Sequence, residues 1–132
     1  MLLVDTNVLI DVLEDDPEWA DWPIAQLRVQ SKVHPLTINT IIYAELPLTF
    51  LKVEVLDKTI ENLGLTVLEL LGPALFLAGK AFAQYRWQGG KANNVLADFF
   101  IGAHAAVLGC PLLTRDVRRY QTYFPSVELI TP

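Results

Sequence analysis

A chain of 132 residues with 52% hydrophobic and 19% charged side chains excludes a disordered polypeptide and predicts a single globular domain over residues 1–132. The lone cysteine, Cys110, excludes an internal disulfide, and the lack of a secretory leader or membrane-length apolar run predicts a soluble cytoplasmic protein that does not bind membranes. The net charge of −5 speaks against a uniformly basic nucleic-acid surface, but residues 80–132 carry 6 basic and only 3 acidic side chains. Such a basic region suits a phosphate-bearing substrate or an acidic partner, although ordinary solvated side chains explain it equally well.

The first predicted elements are a strand and a helix joined by an acid. Leu2-Leu3-Val4 is a short apolar run that we interpret as a central strand, and Asp5 follows it directly. Thr6 or Asn7 can cap the helix that comes next. Within that helix the apolar residues lie on one face, so we expect Asp11 to face solvent.

A second helix and a second strand follow. The helix is predicted from Pro17 onward, but Pro23 would strain its middle, so the helix begins later or is kinked. The second strand is predicted over Val33–Ile38. Asn39 or Thr40 can then cap a third helix.

The middle of the chain alternates helix and strand. The third helix carries Glu45 and is disturbed by Pro47. A fourth helix is predicted over Lys52–Leu63, because its apolar residues recur at helical spacing. The glycine after it ends the helix, and Leu65–Leu68 is predicted as the third strand.

A long helix is predicted from Gly72-Pro73 to about Trp87. Its buried stripe is predicted to consist of Leu75, Ala78, Phe82 and Tyr85. A glycine-rich connection that ends at Lys91 leads from this helix into the next predicted element. This region contributes packing surface to the predicted fold and few candidate functional groups.

The stretch from residue 96 to residue 116 predicts a helix, a turn and a strand with an acid at each end. Asp98 lies in the first helical turn, and Gly109 stops the helix. Pro111–Thr114 reads as a short buried strand, and Asp116 follows at its carboxyl end. Two elements complete the chain: a helical turn over Val117–Tyr123 and an edge strand over Val127–Ile130.

Strands that alternate with helices predict an α/β fold. We expect a three-layer sandwich with a mainly parallel central sheet of about five strands and helices on both faces. Ligands of such sheets bind beyond the carboxyl ends of the strands. Four acids can converge there: Asp5, Glu45, Asp98 and Asp116.

Four carboxylates in one pocket repel each other unless a cation is present. Mg²⁺ or Mn²⁺ takes oxygen ligands together with substrate phosphate, so we predict one or two such ions held by these acids. The chemistry that follows is attack of water on a phosphodiester. Three short polar residues are suited to orienting the acids: Thr6, Asn7 and Thr114. Asp5 alone is also explained as a helix cap, Asp98 as a complement to the helix dipole and Asp116 as a turn residue, and Glu45 alone is weak evidence.

Four blocks of the sequence resemble the PIN-domain ribonucleases and, among them, the VapC-type toxins of toxin–antitoxin pairs. The blocks occur in family order and are Leu3-Val4-Asp5-Thr6-Asn7-Val8-Leu9-Ile10, Ile42-Tyr43-Ala44-Glu45-Leu46, Ala97-Asp98-Phe99-Phe100-Ile101-Gly102-Ala103-His104-Ala105 and Leu113-Thr114-Arg115-Asp116. The resemblance covers essentially the whole chain. It implies Mg²⁺- or Mn²⁺-dependent endonuclease action on RNA, with the four acids as catalytic metal ligands. It also implies homodimerisation and inhibition by a cognate antitoxin protein. Pro47 departs from the family pattern, because many relatives continue the helix there.

Other residues are candidates for partner binding. The cations that could meet RNA phosphates are Lys91, Arg115, Arg118 and Arg119. Tyr85 or Trp87 could stack on an unpaired base or could pack in the core or at a dimer contact. Trp19 and Trp22 are candidates for binding an antitoxin peptide. His104 is six residues after Asp98 and is expected to face away from that acid as a packed or surface side chain.

Two other classes of function compete with the nuclease. One is a phosphotransfer enzyme of another α/β class. A haloacid-dehalogenase-like phosphatase needs a second Asp two residues after its nucleophile, where this chain has Asn7. A receiver-like domain needs a phosphorylatable Asp at the end of the third strand, where this chain has Leu68-Glu69. A catalytically silent RNA- or protein-binding module is the other alternative. All four acids are present, which argues against a decayed site.

Overall fold

The computed structural model describes residues 1–15, 17–18, 20–47, 50–91 and 95–132, and Trp19, a candidate for antitoxin binding, lies outside them. The described residues form five strands: β1 (Leu2–Val4), β2 (Leu36–Asn39), β3 (Leu65–Leu68), β4 (Leu112–Leu113) and β5 (Leu129–Ile130). The helices are α1 (Thr6–Leu13), α2 (Asp21–Gln30), α3 (Thr40–Glu45), α4 (Val53–Asn62), α5 (Gly72–Trp87), α6 (Leu96–Leu108) and α7 (Arg118–Tyr123). No helix within the described residues is long and apolar enough to cross a membrane.

The five strands form one sheet in the order β3-β2-β1-β4-β5, and every pairing is parallel. Strand β1 is central, with Leu3 opposite Thr37 of β2 on one side and opposite Leu112 of β4 on the other. Its three residues are fully buried, as a central strand with covered faces requires. The predicted α/β class, parallel sheet and strand number are therefore confirmed, and the carboxyl ends of all five strands meet at one edge.

Strand β2 begins later than the sequence predicted. The strand was expected over Val33–Ile38, but it covers Leu36–Asn39. Residues 31–33 instead form a turn after α2, and Pro35 contributes only its carbonyl, which accepts a hydrogen bond from the amide of Leu2 at 2.9 Å. Pro35 has no amide hydrogen to donate to the sheet, so the regular pairing starts after it.

Helix α2 adopts one of the two predicted alternatives. It begins at Asp21, so Pro23 lies in its first turn, where a missing backbone N–H removes no hydrogen bond of the helix. Helix α5 covers the predicted range, and its buried stripe was predicted correctly except at one position. Ala78 is buried and Phe82 and Tyr85 pack half-buried against the core, but Leu75 does not belong to the stripe. Ala74, Ala78 and Ala81 are its buried residues, whereas Leu75 is 45% exposed. Small side chains on this face allow α5 to pack closely against α6.

Aromatic side chains fill the space between α5, α6 and α7. Phe99 is fully buried and lies 5.2–6.0 Å, ring centroid to ring centroid, from four other rings: Phe82, Tyr85, Tyr123 and Phe124. Gly102 of α6 lies directly against Phe124, and a Cβ atom at this position would be 2.3 Å from the ring. The absence of a side chain at Gly102 therefore lets α7 approach α6, which places α7 beside the carboxyl edge of the sheet.

Candidate active site

Asp5 is the centre of a hydrogen-bond network at the carboxyl edge of β1. It caps α1, and its Oδ1 accepts a bond from the amide of Thr6 at 2.8 Å. Its Oδ2 accepts bonds from the hydroxyl groups of Thr114 at 2.7 Å and Tyr120 at 2.9 Å. The side-chain amide of Asn7 approaches the same oxygen at 3.3 Å. Four donors thus hold this carboxyl group in one orientation.

The environment of Asp5 changes its acidity. The residue is only 3% exposed, and burial raises the pKa of its carboxyl group to about 6. The bonds from Thr114 and Tyr120 act in the opposite direction, while the negative charge of Asp98 raises the pKa further. Asp5 is therefore close enough to Asp98 for the two charges to interact.

Glu45 reaches the same edge from α3. It is the last residue of that helix, and its Oε1 accepts a bond from the hydroxyl of Thr6 at 2.6 Å. Pro47 lies beyond the helix, so the helix ends before the proline and keeps its final turn intact. Thr6 therefore contacts Asp5 through its backbone and Glu45 through its side chain.

Thr114 and Asn7 connect the ends of β1 and β4. The amide of Asn7 lies 3.2 Å from the hydroxyl of Thr114, and its carbonyl oxygen accepts a bond from the backbone N–H of Arg115 at 3.1 Å. The backbone N–H of Asp116 donates to the Thr114 hydroxyl at 3.1 Å. Thr6, Asn7 and Thr114 were predicted to orient the acids, and each of them contacts at least one acid or the backbone beside one.

Asp98 lies in the first turn of α6 and pairs with Arg119 of α7. The guanidinium donates to Oδ2 of the carboxyl group, and both side chains are 26% exposed. Burial raises the pKa of Asp98, Arg119 lowers it, and the charges of Asp116 and Glu45 raise it. Asp98 is therefore within electrostatic reach of two other candidate acids. The sequence predicted Arg119 as a contact for RNA phosphate and gave no signal of this ion pair.

The other three candidate cations occupy different positions. Arg118 is exposed and, together with Arg119 and the exposed Asp116, lines an open cavity of about 470 Å³. Lys91 is exposed, and its backbone carbonyl accepts a bond from the hydroxyl of Tyr85. Arg115 forms a two-point ion pair with Asp11.

The Arg115–Asp11 pair corrects one prediction. Asp11 was expected to face solvent, but its side chain is only 6% exposed. Its Oδ1 accepts a hydrogen bond from Nη2 of Arg115 at 3.0 Å, and its Oδ2 lies 2.8 Å from Nε of the same guanidinium as an ion pair. An acid on the inner face of α1 is tolerated because the guanidinium compensates its charge. This pair fixes α1 to the loop after β4, immediately beside the candidate acids.

Tyr120 is a component of the site that sequence reasoning missed. It lies on α7 and is 1% exposed, and its hydroxyl donates to Asp5. Burial and the nearby charge of Asp5 raise the pKa of this phenol, so it stays protonated and acts as a donor. No spacing in the sequence signals this contact, because Asp5 and Tyr120 are 115 residues apart.

We expect Tyr120→Phe to raise the pKa of Asp5 above its value of about 6, because the bond from Tyr120 lowers that pKa. The lost bond should also reduce the free energy of unfolding by about 1–3 kcal/mol. Carboxyl ¹³C NMR titration measures the first effect and urea unfolding the second. Tyr123→Phe is the matched control, since its hydroxyl donates to Gln88 and not to Asp5. A pKa of Asp5 that is unchanged in Tyr120→Phe would contradict the assignment.

His104 is a packed side chain, as predicted. It is 4% exposed, and its Nδ1 lies 3.1 Å from the amide nitrogen of Asn39. Asn39 uses its carbonyl oxygen to cap α3 at the N–H of Ile42, so its NH₂ group faces the imidazole and Nδ1 accepts the bond. Burial lowers the pKa of His104, which favours this neutral form. The imidazole therefore supports the β2–α3 junction.

The chemistry of the acids suits a hard divalent cation, because all of their donor atoms are carboxylate oxygens. Their mutual repulsion, visible in the pKa increases that they cause at Asp98 and Asp5, is relieved when a cation is bound. Within the described ranges, however, no three His, Cys, Asp or Glu side chains are close enough together to hold a metal ion. Asp98 already pairs with a guanidinium, so metal binding at this acid requires a local rearrangement.

The chain matches a known protein family in sequence and known structures in fold. The profile of the family described as PIN domain matches residues 2–125. VapBC2 from Rickettsia felis, in a crystal structure with a DNA fragment from its promoter, aligns with a TM-score of 0.75 and 19% identity over 98% of this chain and 97% of that chain. VapBC-1 from nontypeable Haemophilus influenzae aligns at 0.73 and 24% identity, over 98% and 96%. A toxin–antitoxin complex from Klebsiella pneumoniae aligns at 0.65 and 22% identity, over 100% and 98%. No curated protein matched the sequence.

Proposed function

The chain belongs to the PIN-domain family, and from this premise we propose that it is a metal-dependent endoribonuclease that acts as the toxin of a toxin–antitoxin pair. The proposed substrate is RNA, and the proposed cofactor is Mg²⁺ or Mn²⁺, as one or two ions. The catalytic metal ligands in this proposal are Asp5, Glu45, Asp98 and Asp116.

One observation carries the proposal: acids from four separate elements lie at the carboxyl edge of a parallel sheet and influence one another electrostatically. Asp5 follows β1, Glu45 ends α3, Asp98 lies in the first turn of α6 and Asp116 follows β4. Asp98 raises the pKa of Asp5, and Asp116 and Glu45 raise that of Asp98. Acids that raise one another's pKa are relieved of this repulsion when a cation binds, so their mutual influence supports a role in cation binding.

Different residues of the chain would have different roles at such a site. The acids would hold the ion, while Thr6, Asn7 and Thr114 keep Asp5 and Glu45 in fixed orientations. A bound Mg²⁺ or Mn²⁺ would supply Lewis acidity toward the phosphodiester and its attacking water. Arg118 and Arg119 line the adjacent cavity, where their positive charges would attract the RNA backbone.

Cleavage of a mixed RNA pool by the purified protein tests the proposal. We expect cutting with Mn²⁺ and Mg²⁺ and its complete loss with EDTA, because the acids cannot activate water without a cation. Readdition of Mn²⁺ in excess over EDTA should restore cutting, which shows that the chelator did not unfold the protein. Metal binding without any cleavage would contradict the nuclease and favour a silent RNA- or protein-binding module. Cutting that resists EDTA would contradict the metal mechanism.

The proposed partners are a cognate antitoxin and a second copy of the chain, in the cytoplasm. The aligned solved structures include a toxin–antitoxin complex, which supports the first partner. Trp22 of α2, a candidate for the antitoxin contact, is half-buried against the core. Expression of the chain should stop growth, and co-expression of a short protein encoded beside it should restore growth.

A further inference from the structure

Arg119 occupies an unusual position for a cation next to a proposed metal site. Its guanidinium donates to Oδ2 of Asp98, which is the same group that would bind a divalent ion. The centre of the guanidinium also lies 5.7 Å from the ring centroid of Tyr85, a distance typical of a cation–π contact. Two contacts therefore hold Arg119 on Asp98.

A guanidinium and a divalent cation compete for one carboxylate. Both are attracted by the same charge, and each repels the other at close range. While Arg119 engages Asp98, that acid is a poorer ligand for a divalent ion. Arg119 also compensates part of the repulsion that Asp98 receives from Asp116 and Glu45, so it stabilises the acids before an ion binds.

The cavity beside α7 could offer Arg119 a different anion, a phosphate group. It lines the open cavity of about 470 Å³ together with Arg118, Thr122 and Asp116. This cavity adjoins the acids and contains two guanidinium groups and a hydroxyl, which are the donors that bind phosphate oxygens. The long side chain of Arg119 can exchange its carboxylate partner for a phosphate by rotation about its own bonds.

We propose that Arg119 couples RNA binding to metal binding: it pairs with Asp98 in the free protein, and a phosphate of the RNA draws it into the adjacent cavity, which releases Asp98 for the divalent cation. This inference rests on the proposed function, because it takes Asp98 as a metal ligand. RNA and metal then bind cooperatively, and each strengthens the binding of the other by the same factor. Arg119 is accordingly a positioning residue for the metal.

Measurement of Mn²⁺ affinity by electron paramagnetic resonance tests the coupling without reference to turnover. Arg119→Gln should bind Mn²⁺ roughly fivefold more tightly or better than the wild type, because the competing cation is gone. Arg118→Gln removes the same charge from the same cavity but no contact with Asp98, so its Mn²⁺ affinity should change by less than about twofold. Thermal unfolding of both variants checks that they are folded.

A second measurement uses the wild-type protein alone. A 2′-O-methyl RNA oligonucleotide, which supplies phosphates but resists cleavage, should strengthen Mn²⁺ binding roughly fivefold or more in the wild type and much less in Arg119→Gln. The coupling would be overturned if Arg119→Gln and Arg118→Gln changed the Mn²⁺ affinity equally. It would also be overturned if the oligonucleotide did not change the Mn²⁺ affinity of the wild type. If RNA cutting still required Mn²⁺ in that case, the proposed nuclease would stand without it. If no Mn²⁺ bound under any condition, the coupling and the proposed function would fall together.

Discussion

Asp98→Asn should reduce RNA cleavage by roughly a hundredfold or more while the protein remains folded. Loss of residues that only support metal ligands costs about 10- to 100-fold in affinity or activity, so loss of a ligand itself is expected to reach at least the upper end of that range. The substitution keeps the size of the side chain and removes its charge. Initial rates on a defined RNA substrate at saturating Mn²⁺ measure the effect.

The folded state of Asp98→Asn is expected to persist. Asparagine removes a carboxylate that burial and the charges of Asp116 and Glu45 disfavour, and the loss of its ion pair with the partly exposed Arg119 acts in the opposite direction. Asp21→Asn makes the same chemical change at an exposed residue in the first turn of α2 and should leave the rate unchanged. Activity retained in Asp98→Asn at the wild-type level would remove this acid from the proposed mechanism.

Gly102→Ala should lower the free energy of unfolding by about 1–3 kcal/mol through overpacking. The added Cβ would lie 2.3 Å from the ring of Phe124, which is 3% exposed and packs at 6.0 Å from Phe99. The ring cannot move outward without displacing α7. The better helix propensity of alanine offsets about 1 kcal/mol of this cost at most. Thermal and urea unfolding measure the difference.

Gly79→Ala is the matched control for this substitution, because Gly79 also lies within a helix. A Cβ at Gly79 meets no atom within 4 Å, and the residue is exposed. Alanine should therefore stabilise the protein here by about 0.5–1 kcal/mol. The two substitutions are expected to change the free energy of unfolding in opposite directions. An increase in both variants would show that helix propensity, and not packing against Phe124, decides the outcome at Gly102.

Much of the fold was predictable because local signals specify it. The apolar run before Asp5, the strand Leu65–Leu68 and the helix Gly72–Trp87 each match a pattern of neighbouring residues. Gly109 ends α6 with a positive φ of 65°, as its position after an apolar helix predicted. The placement of Asp5 after β1 and of Asp116 after β4 also followed from topology, because the carboxyl ends of parallel strands share an edge.

The errors concern side chains whose partners are distant in sequence. Asp11 was placed on the solvent face because its helix is amphipathic, but its partner is Arg115, 104 residues away. Arg119 was predicted as a possible contact for RNA phosphate, and its ion pair with Asp98 on another helix was not foreseen. Tyr120 was not identified at all. Periodicity predicts which face of a helix is apolar, but a charged residue on that face is recognised only when the opposing element is known.

The position of β1 has a consequence for the synthesis of this protein. Among the described strands, β1 comes first along the chain and lies at the centre of the sheet, whereas its neighbour β4 comes fourth. Asp5 receives its hydroxyl donors from residues 109 and 115 positions later in the chain. Proteins emerge from the ribosome amino terminus first, so a nascent chain lacks these donors until Thr114 and Tyr120 have been added. Copies released before that point therefore cannot hold the Asp5 carboxyl group in the orientation that the complete hydrogen-bond network gives it.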